Sequence, residues 1–315
     1  MDFLPRLEVY FAVDGILNVN KPRGRTSFSI VAVVRRLSGE RRVGHAGTLD
    51  PEATGVLPVC LGKATRVIEF LMDTTKTYRA EVELGVDTDT YDATGTVVHR
   101  GDASRISREQ VEIALSSFRG RILQTPPMYS AIKQQGRPLY EMARAGKTVK
   151  RRKRPVEVHN LEMLSWQPPV VTLEVVCGKG TYIRSLAHDL GRALGCGAML
   201  RTLVRLRSGL FDIENAVSLP ELEEAFRDGH WQEYLYSIDS VLSHWKAVTV
   251  SDEMAWAIRN GQSVEVIGDV SAGKELVSAL SSESFCRAYS SNGSLLALLR
   301  FEPELGRWQP HKVFQ

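Results

Sequence analysis

Apolar and polar positions alternate through residues 78–85, YRAEVELG, with Tyr78, Ala80, Val82 and Leu84 on one side and Arg79, Glu81 and Glu83 on the other. A period of two predicts a half-buried strand, and its first core-facing residue is Tyr78. Upstream, GILNVNKP reads as a short strand that ends at a proline turn. TSFSIVAVVRRLSG then reads as a helix, with Thr26 or Ser27 as N-cap and Gly39 as its stop. SREQVEIALSSFRG predicts a helix with Ser107 as cap and Gln110 completing a capping box. VVTLEVVCGKG is a strand that runs through a glycine-bracketed turn into TYIRSLAHDLGRALG. There Ile183, Leu186, Ala187, Leu190 and Leu194 repeat at helical spacing. Strands and helices mixed without regular βαβ alternation predict an α+β fold with a mixed, largely antiparallel sheet and flanking helices.

The pattern shifts near Trp245. AVTVSDEMAWAIRNGQSVEVIG and CRAYSSNGSLLALLRFE read as short strands separated by Asn-Gly and Ser-Asn-Gly turns, the signature of a small β-barrel. A domain boundary is therefore expected near residue 246. No apolar run approaches the roughly 20 residues of a membrane span. The start, MDFLPRLEVYFAVDG, lacks the basic opening and small-residue cleavage site of a signal peptide. Both point to the cytoplasm. Cys60, Cys177, Cys196 and Cys286 are scattered, without a C-x-x-C pair, and are expected as reduced, buried thiols.

The net charge of +3 hides an asymmetry. Residues 119–154 hold eleven Lys or Arg and one acid, Glu141, which leaves the rest of the chain near −7. Charge runs are usually solvated loops. Here, however, Tyr129, Arg137, Pro138 and Tyr140 interleave stiff turns and flat side chains with the charge, a composition suited to phosphates and unpaired bases. Nucleic acid is the partner this segment favours.

The densest candidate chemistry is RRVGHAGTLDPEATGVLPVCLGKATR, residues 41–66. It is not a phosphate loop, since no Lys-Ser/Thr follows the glycines. GVDTDTYDATG is not an EF-hand: its third Asp falls at loop position 6 and position 12 is Val98, so Asp87, Asp89 and Asp92 read as turn residues. Asp50 is held extended by Pro51, flanked by glycines that let a ligand approach, and followed by an apolar strand that would anchor its loop. From the residues alone it is either an Asx-turn aspartate or a single carboxylate suited to covalent or acid/base work on a base or sugar. Arg184, at the start of a helix, opposes the dipole. It is either solvated or answered by an acid or an anionic ligand.

Taken together and in order, NVNKPRGRTS, RRVGHAGTLDPEATGVLPVCLGKATR, KTYRAEVELGVDTDTYDATG, QTPPMYSAIKQQGRPLYEMARAG, GTYIRSLAHDLG and LVRLRSGLF closely resemble the bacterial TruB family, the tRNA pseudouridine synthases of uridine 55 in the TΨC arm. The tail, from AWAIRNG to WQPHKVF, resembles that family's PUA-type RNA-binding domain. The resemblance implies a pseudouridine synthase domain over 15–245, with an RNA-clasping insertion at 124–152, a PUA-type domain over 246–315, and an N-terminal extension of 14 residues. It implies that Asp50 attacks a flipped uridine, that Tyr78 stacks on the uracil and that Arg184 pairs with the carboxylate. Leu203 would line the pocket, His45 contact the T-loop, and Lys21 with Pro22 support the pocket floor. Tyr182, Arg137, Arg144, Lys150, Arg151 and Arg152 complete the RNA-facing set. The sequence departs from the family pattern at Val204 and Leu210. Isomerisation requires no cofactor and none is implied, nor a metal, a membrane or a protein partner; a monomer is expected. The rival reading is a non-catalytic RNA chaperone or scaffold, which would have no need of Asp50, Tyr78 and Arg184 together.

Overall fold

A computed structural model describes residues 13–130, 132–134, 136–147, 149–265 and 285–314. The first twelve residues of the N-terminal extension, and residues 266–284 of the expected barrel, lie outside the described residues. The main sheet runs Val217–Ser218, Gly15–Lys21, Thr54–Leu61, Ala198–Ser208, Lys76–Leu84, Val170–Cys177, Arg154–Gln167 and Gly120–Gln124 from edge to edge. Along this path most neighbours are antiparallel. One exception sits in the middle, where Thr54–Leu61 pairs in parallel with Ala198–Ser208 through only two residue pairs, Thr54 with Val204 and Gly55 with Arg205. On its other side the same Ala198–Ser208 strand pairs antiparallel with Lys76–Leu84, which sets Arg205 opposite Tyr78 and Leu203 opposite Ala80. The candidate chemistry collects at this seam.

Local sequence explains the elements that frame it. Helix Ser27–Ser38 starts at Thr26, whose side chain accepts from Ser29 N, and stops at Gly39 in the left-handed conformation. The capping box at Ser107 and Gln110 opens helix Arg108–Ser116. Helix Ile183–Leu194 buries Ile183, Leu186, Ala187 and Leu190 against the sheet beside Ala80, Val82, Leu173 and Val175, and ends at left-handed Gly195. A second core lies beneath helices Ser27–Ser38 and Leu219–Asp228. All four cysteines are buried, and none forms a disulfide among the described residues.

The C-terminal segment forms a four-stranded sheet, Ala247–Thr249, Phe285–Tyr289, Leu295–Glu302 and Arg307–Val313. One reading of this segment is corrected. Residues 252–259 form a helix rather than strand, because Ser251 caps it, Asp252 and Glu253 favour its first turn, and Ala255 and Ile258 recur at helical spacing. Asn260-Gly261 therefore closes a helix and does not turn a hairpin. The sheet docks on the main domain through Phe70, Trp245 and Phe285, with Phe70 edge-on to the two rings and those two stacked at 5.1 Å. Lys312 adds a 2.8 Å ion pair to Glu69 at this contact.

A glycine within a helix normally gives about 1 kcal/mol of stability when replaced by alanine. Gly191 should reverse that sign, since a Cβ there would stand 2.1 Å from Ala198 N in a backbone that cannot yield. Gly191→Ala is expected to destabilise by about 1–3 kcal/mol, measured as a lower urea midpoint.

Candidate active site

The Asp50 loop joins strands Val43–His45 and Thr54–Leu61. Few of its backbone groups reach a ladder, so other groups satisfy them. Ser27 Oγ accepts from Leu49 N at 2.9 Å and donates back to Leu49 O at 3.1 Å. Gly24 N donates to Pro51 O at 2.9 Å. Lys21 Nζ donates to Pro51 O at 3.0 Å, Pro22 O at 2.9 Å and Arg25 O at 2.6 Å. Lys21 has no exposed surface. Its ammonium is thus committed to backbone carbonyls, one of them in the Asp50 loop.

Asp50 and Arg184 meet across 134 residues in a two-point pair. Arg184 Nε stands 2.9 Å from Asp50 Oδ2, and Nη2 donates to Oδ1 at 3.2 Å. The same guanidinium donates to Tyr129 O at 2.8 Å and Thr90 O at 3.3 Å, and Nη1 lies 3.4 Å from Asp92 Oδ2. The acid that a cation at a helix start requires is thus two acids. Asp50 keeps 41 % of its side-chain area open, but that area faces a recess rather than bulk water. Burial accordingly pushes its carboxyl above the usual carboxylate range. Arg184 and Lys21 pull it down, and the Asp92 charge adds to the rise.

The recess is a cavity of about 880 Å³ whose walls include Asp50, Tyr78, Asp92, Arg184, Leu203 and Arg205. Tyr78 projects from the strand face its alternation predicts, and burial raises its phenol above the usual tyrosine range while Arg205 acts against the rise. Tyr182 also lines the cavity, its backbone N–H donating to Gln124 Oε1 at 2.8 Å while Gln124 Nε2 donates to Tyr182 O at 3.0 Å. Tyr129, Tyr140 and Arg144 close one side, with the Arg144 guanidinium 5.6 Å over the Tyr140 ring. Arg137, Lys150 and Arg152 are exposed outside the cavity, and Arg151 donates to Pro126 O at 3.0 Å. His45 stands behind the loop, with Nδ1 buried. Burial, then the nearby Arg205 charge, lowers its pKa. Among the described residues no group of His, Cys, Asp and Glu could hold a metal ion.

Sequence reasoning missed Asp92 and Arg205. Asp92 does make the turn expected of it, accepting from Thr94 N at 3.0 Å, but it also faces Arg184. Arg205 shares the Leu203 face at a period of two, and a cation on a core-facing phase is the available signal. The glycines of the loop are expected to leave room for a ligand. A Cβ on Gly55, at φ +102°, would stand 2.2 Å from Arg205 O, so this one makes room for protein.

Comparison with known proteins identifies the arrangement. The N-terminal domain of the TruB family pseudouridylate synthases matches residues 35–183, and the C-terminal domain of tRNA pseudouridylate synthase B matches residues 184–243. A tRNA pseudouridine synthase B from Dehalococcoides mccartyi is 44% identical over 302 residues, 96% of this chain and 97% of that protein. The chain belongs to the TruB family. Another member, from Geobacter sulfurreducens, is 45% identical over 249 residues, 79% of this chain and 82% of that one. Among solved structures, one of a Cbf5-Nop10-Gar1 complex matches with a TM-score of 0.71 at 27% identity, covering 96% of this chain and 85% of that one. The TruB-family chain thus has the pseudouridine synthase fold.

Replacing Arg184 by methionine should leave Asp50 and Asp92 facing each other without their cation. The expected loss of unfolding free energy is about 3 kcal/mol, the low end for breaking a buried pair because Asp50 is partly open. Urea unfolding without RNA measures it.

Proposed function

We propose that this chain isomerises uridine 55 in the T-arm of tRNA to pseudouridine. The observation that carries the reading is the Asp50–Arg184 pair on the wall of a cavity that also holds Tyr78 and Leu203. The target base leaves its stack and enters this cavity, where an aromatic and apolar lining offsets part of the unstacking free energy. Asp50 attacks the flipped nucleotide, the glycosidic bond breaks, the uracil turns, C5 rejoins the ribose C1′, and the bond to Asp50 breaks to return the free carboxylate. The C5 hydrogen leaves to solvent and N1 gains a proton, so the net reaction is an isomerisation without a group carrier. Tyr78 stacks on the uracil. The segment 124–152 clasps the RNA, and the C-terminal sheet from Ala247 onward acts as a PUA-type RNA-binding domain. The catalytic unit spans 15–245, and the enzyme works in the cytoplasm as a monomer; no helix of the described residues is long and apolar enough to cross a membrane.

Tritium release from [5-³H]uridine in a T-arm hairpin tests the reaction. Wild type should release label from one uridine and Asp50→Asn should not; comparable release by the variant sinks the proposal. The reactive form is the anion, so activity falls as pH drops through the Asp50 pKa. Because burial raises that pKa, the acid limb should lie above the ordinary aspartate value of about 3.9.

Glutamine at all five positions from Lys150 to Arg154 should weaken tRNA binding. It should also flatten the slope of log Kd against log salt, by about 0.7–0.9 for each phosphate that is no longer neutralised. An unchanged slope would put the RNA on another face.

A further inference from the structure

Arg205 is a guanidinium with 1% of its surface exposed, and it forms no ion pair with a carboxylate among the described residues. Its Nε donates to Val56 O at 2.7 Å and its Nη2 to Gly47 O at 3.1 Å. Both carbonyls belong to the segment that carries Asp50, one on each side of it. That segment is shaped around the arginine. Gly55 is its parallel partner and leaves no space for a Cβ beside its backbone. Gly47, at φ +106°, would bring a Cβ to 3.4 Å from Nη1. Burying an unpaired guanidinium is expensive, and two carbonyls answer only part of its five donors.

A candidate acceptor for a further donor stands across the seam. Arg205 is the direct cross-strand partner of Tyr78, and both side chains line the same cavity. Opposite residues of an antiparallel pair lie on one face with their Cβ atoms about 5 Å apart, within reach of both side chains. A guanidinium can only donate. A phenol oxygen facing it must therefore accept, and the phenol's own proton turns elsewhere, which at this position is the cavity.

We propose that Arg205 is a positioning residue for Tyr78: it donates to the phenol oxygen, directs the hydroxyl proton into the cavity, and ties that geometry to the Asp50 loop through Gly47 and Val56. This rests on the part assigned to Tyr78 in the proposed reaction. Asp50 and Cys177 also act on the phenol, and both oppose the effect of Arg205 on its proton.

A double-mutant cycle on the full chain tests it, with single-turnover tritium release and tRNA Kd measured separately. Arg205→Lys keeps the charge but lacks the fork that spans two carbonyls and a phenol. It is expected to slow turnover about tenfold or more while Kd changes by less than about threefold. In a Tyr78→Phe background the same change should slow turnover less than about twofold, because the group it acts through is gone. Equal slowing in both backgrounds overturns the proposal. If Tyr78→Phe alone turns over like wild type, the role of Tyr78 itself has failed, which is a separate result. Arg205→Gln gives a second measurement that needs no RNA: with ¹³Cζ-tyrosine, the Tyr78 resonance should titrate at higher pH than in wild type. An unmoved titration contradicts the contact.

Discussion

Buried cations answered by backbone carbonyls hold this site together. A loop that must bend around a substrate cannot place its carbonyls in a sheet ladder, and a buried carbonyl without a donor is costly. Here Lys21 takes Pro51, Pro22 and Arg25, Arg205 takes Gly47 and Val56, and Arg184 takes Thr90 and Tyr129. Each is a charge-assisted bond, stronger than a neutral one of the same geometry. The loop gains the stiffness of a strand without its geometry, and Asp50 is presented on irregular backbone at a fixed place.

The same cations set the electrostatics. Burial alone would lift the Asp50 carboxyl and lower Lys21, whose pKa falls from 10.5 to about 8. Each is the other's compensation: the Asp50 charge raises Lys21, and the Lys21 charge lowers Asp50. Arg184 makes the closest approach to the carboxylate, while Asp92 opposes it from the far side of the same guanidinium. The result is a carboxylate whose charge is set by a balance of near neighbours, with the recess supplying the low dielectric that gives each neighbour its reach.

Much of this is legible in the sequence where information is local. The phase of Tyr78 follows from alternation, the start of helix Arg108–Ser116 from its capping box, and the need of Arg184 for an acid from its position on the dipole. What is not legible is long-range. Arg205 reaches carbonyls 149 and 158 residues away, and Arg184 reaches Asp50 across 134. Periodicity says which face a side chain takes; it does not say which loop will cross that face. Asp92 is hidden for another reason, since one carboxylate both closes a turn and faces the arginine, and the turn alone explains its presence. The helix at 252–259 reads as strand because its single buried edge, Ala255 and Ile258, is too short for a 3.6-residue period to stand out.

Arg184 touches more than Asp50. Its Nη2 donates both to Asp50 and to the Tyr129 carbonyl, at the root of the basic arm. Beside it, Ser185 Oγ donates to Thr125 O at 2.8 Å. One guanidinium edge is therefore shared between the Asp50 carboxylate and the segment expected to clasp the RNA. Any displacement of the arm would change the donor set left for Asp50, and a change of charge on Asp50 would change the hold on the arm by the same free energy, since linkage between two sites is reciprocal. Grip and reactivity are in that sense a single variable, written through one side chain.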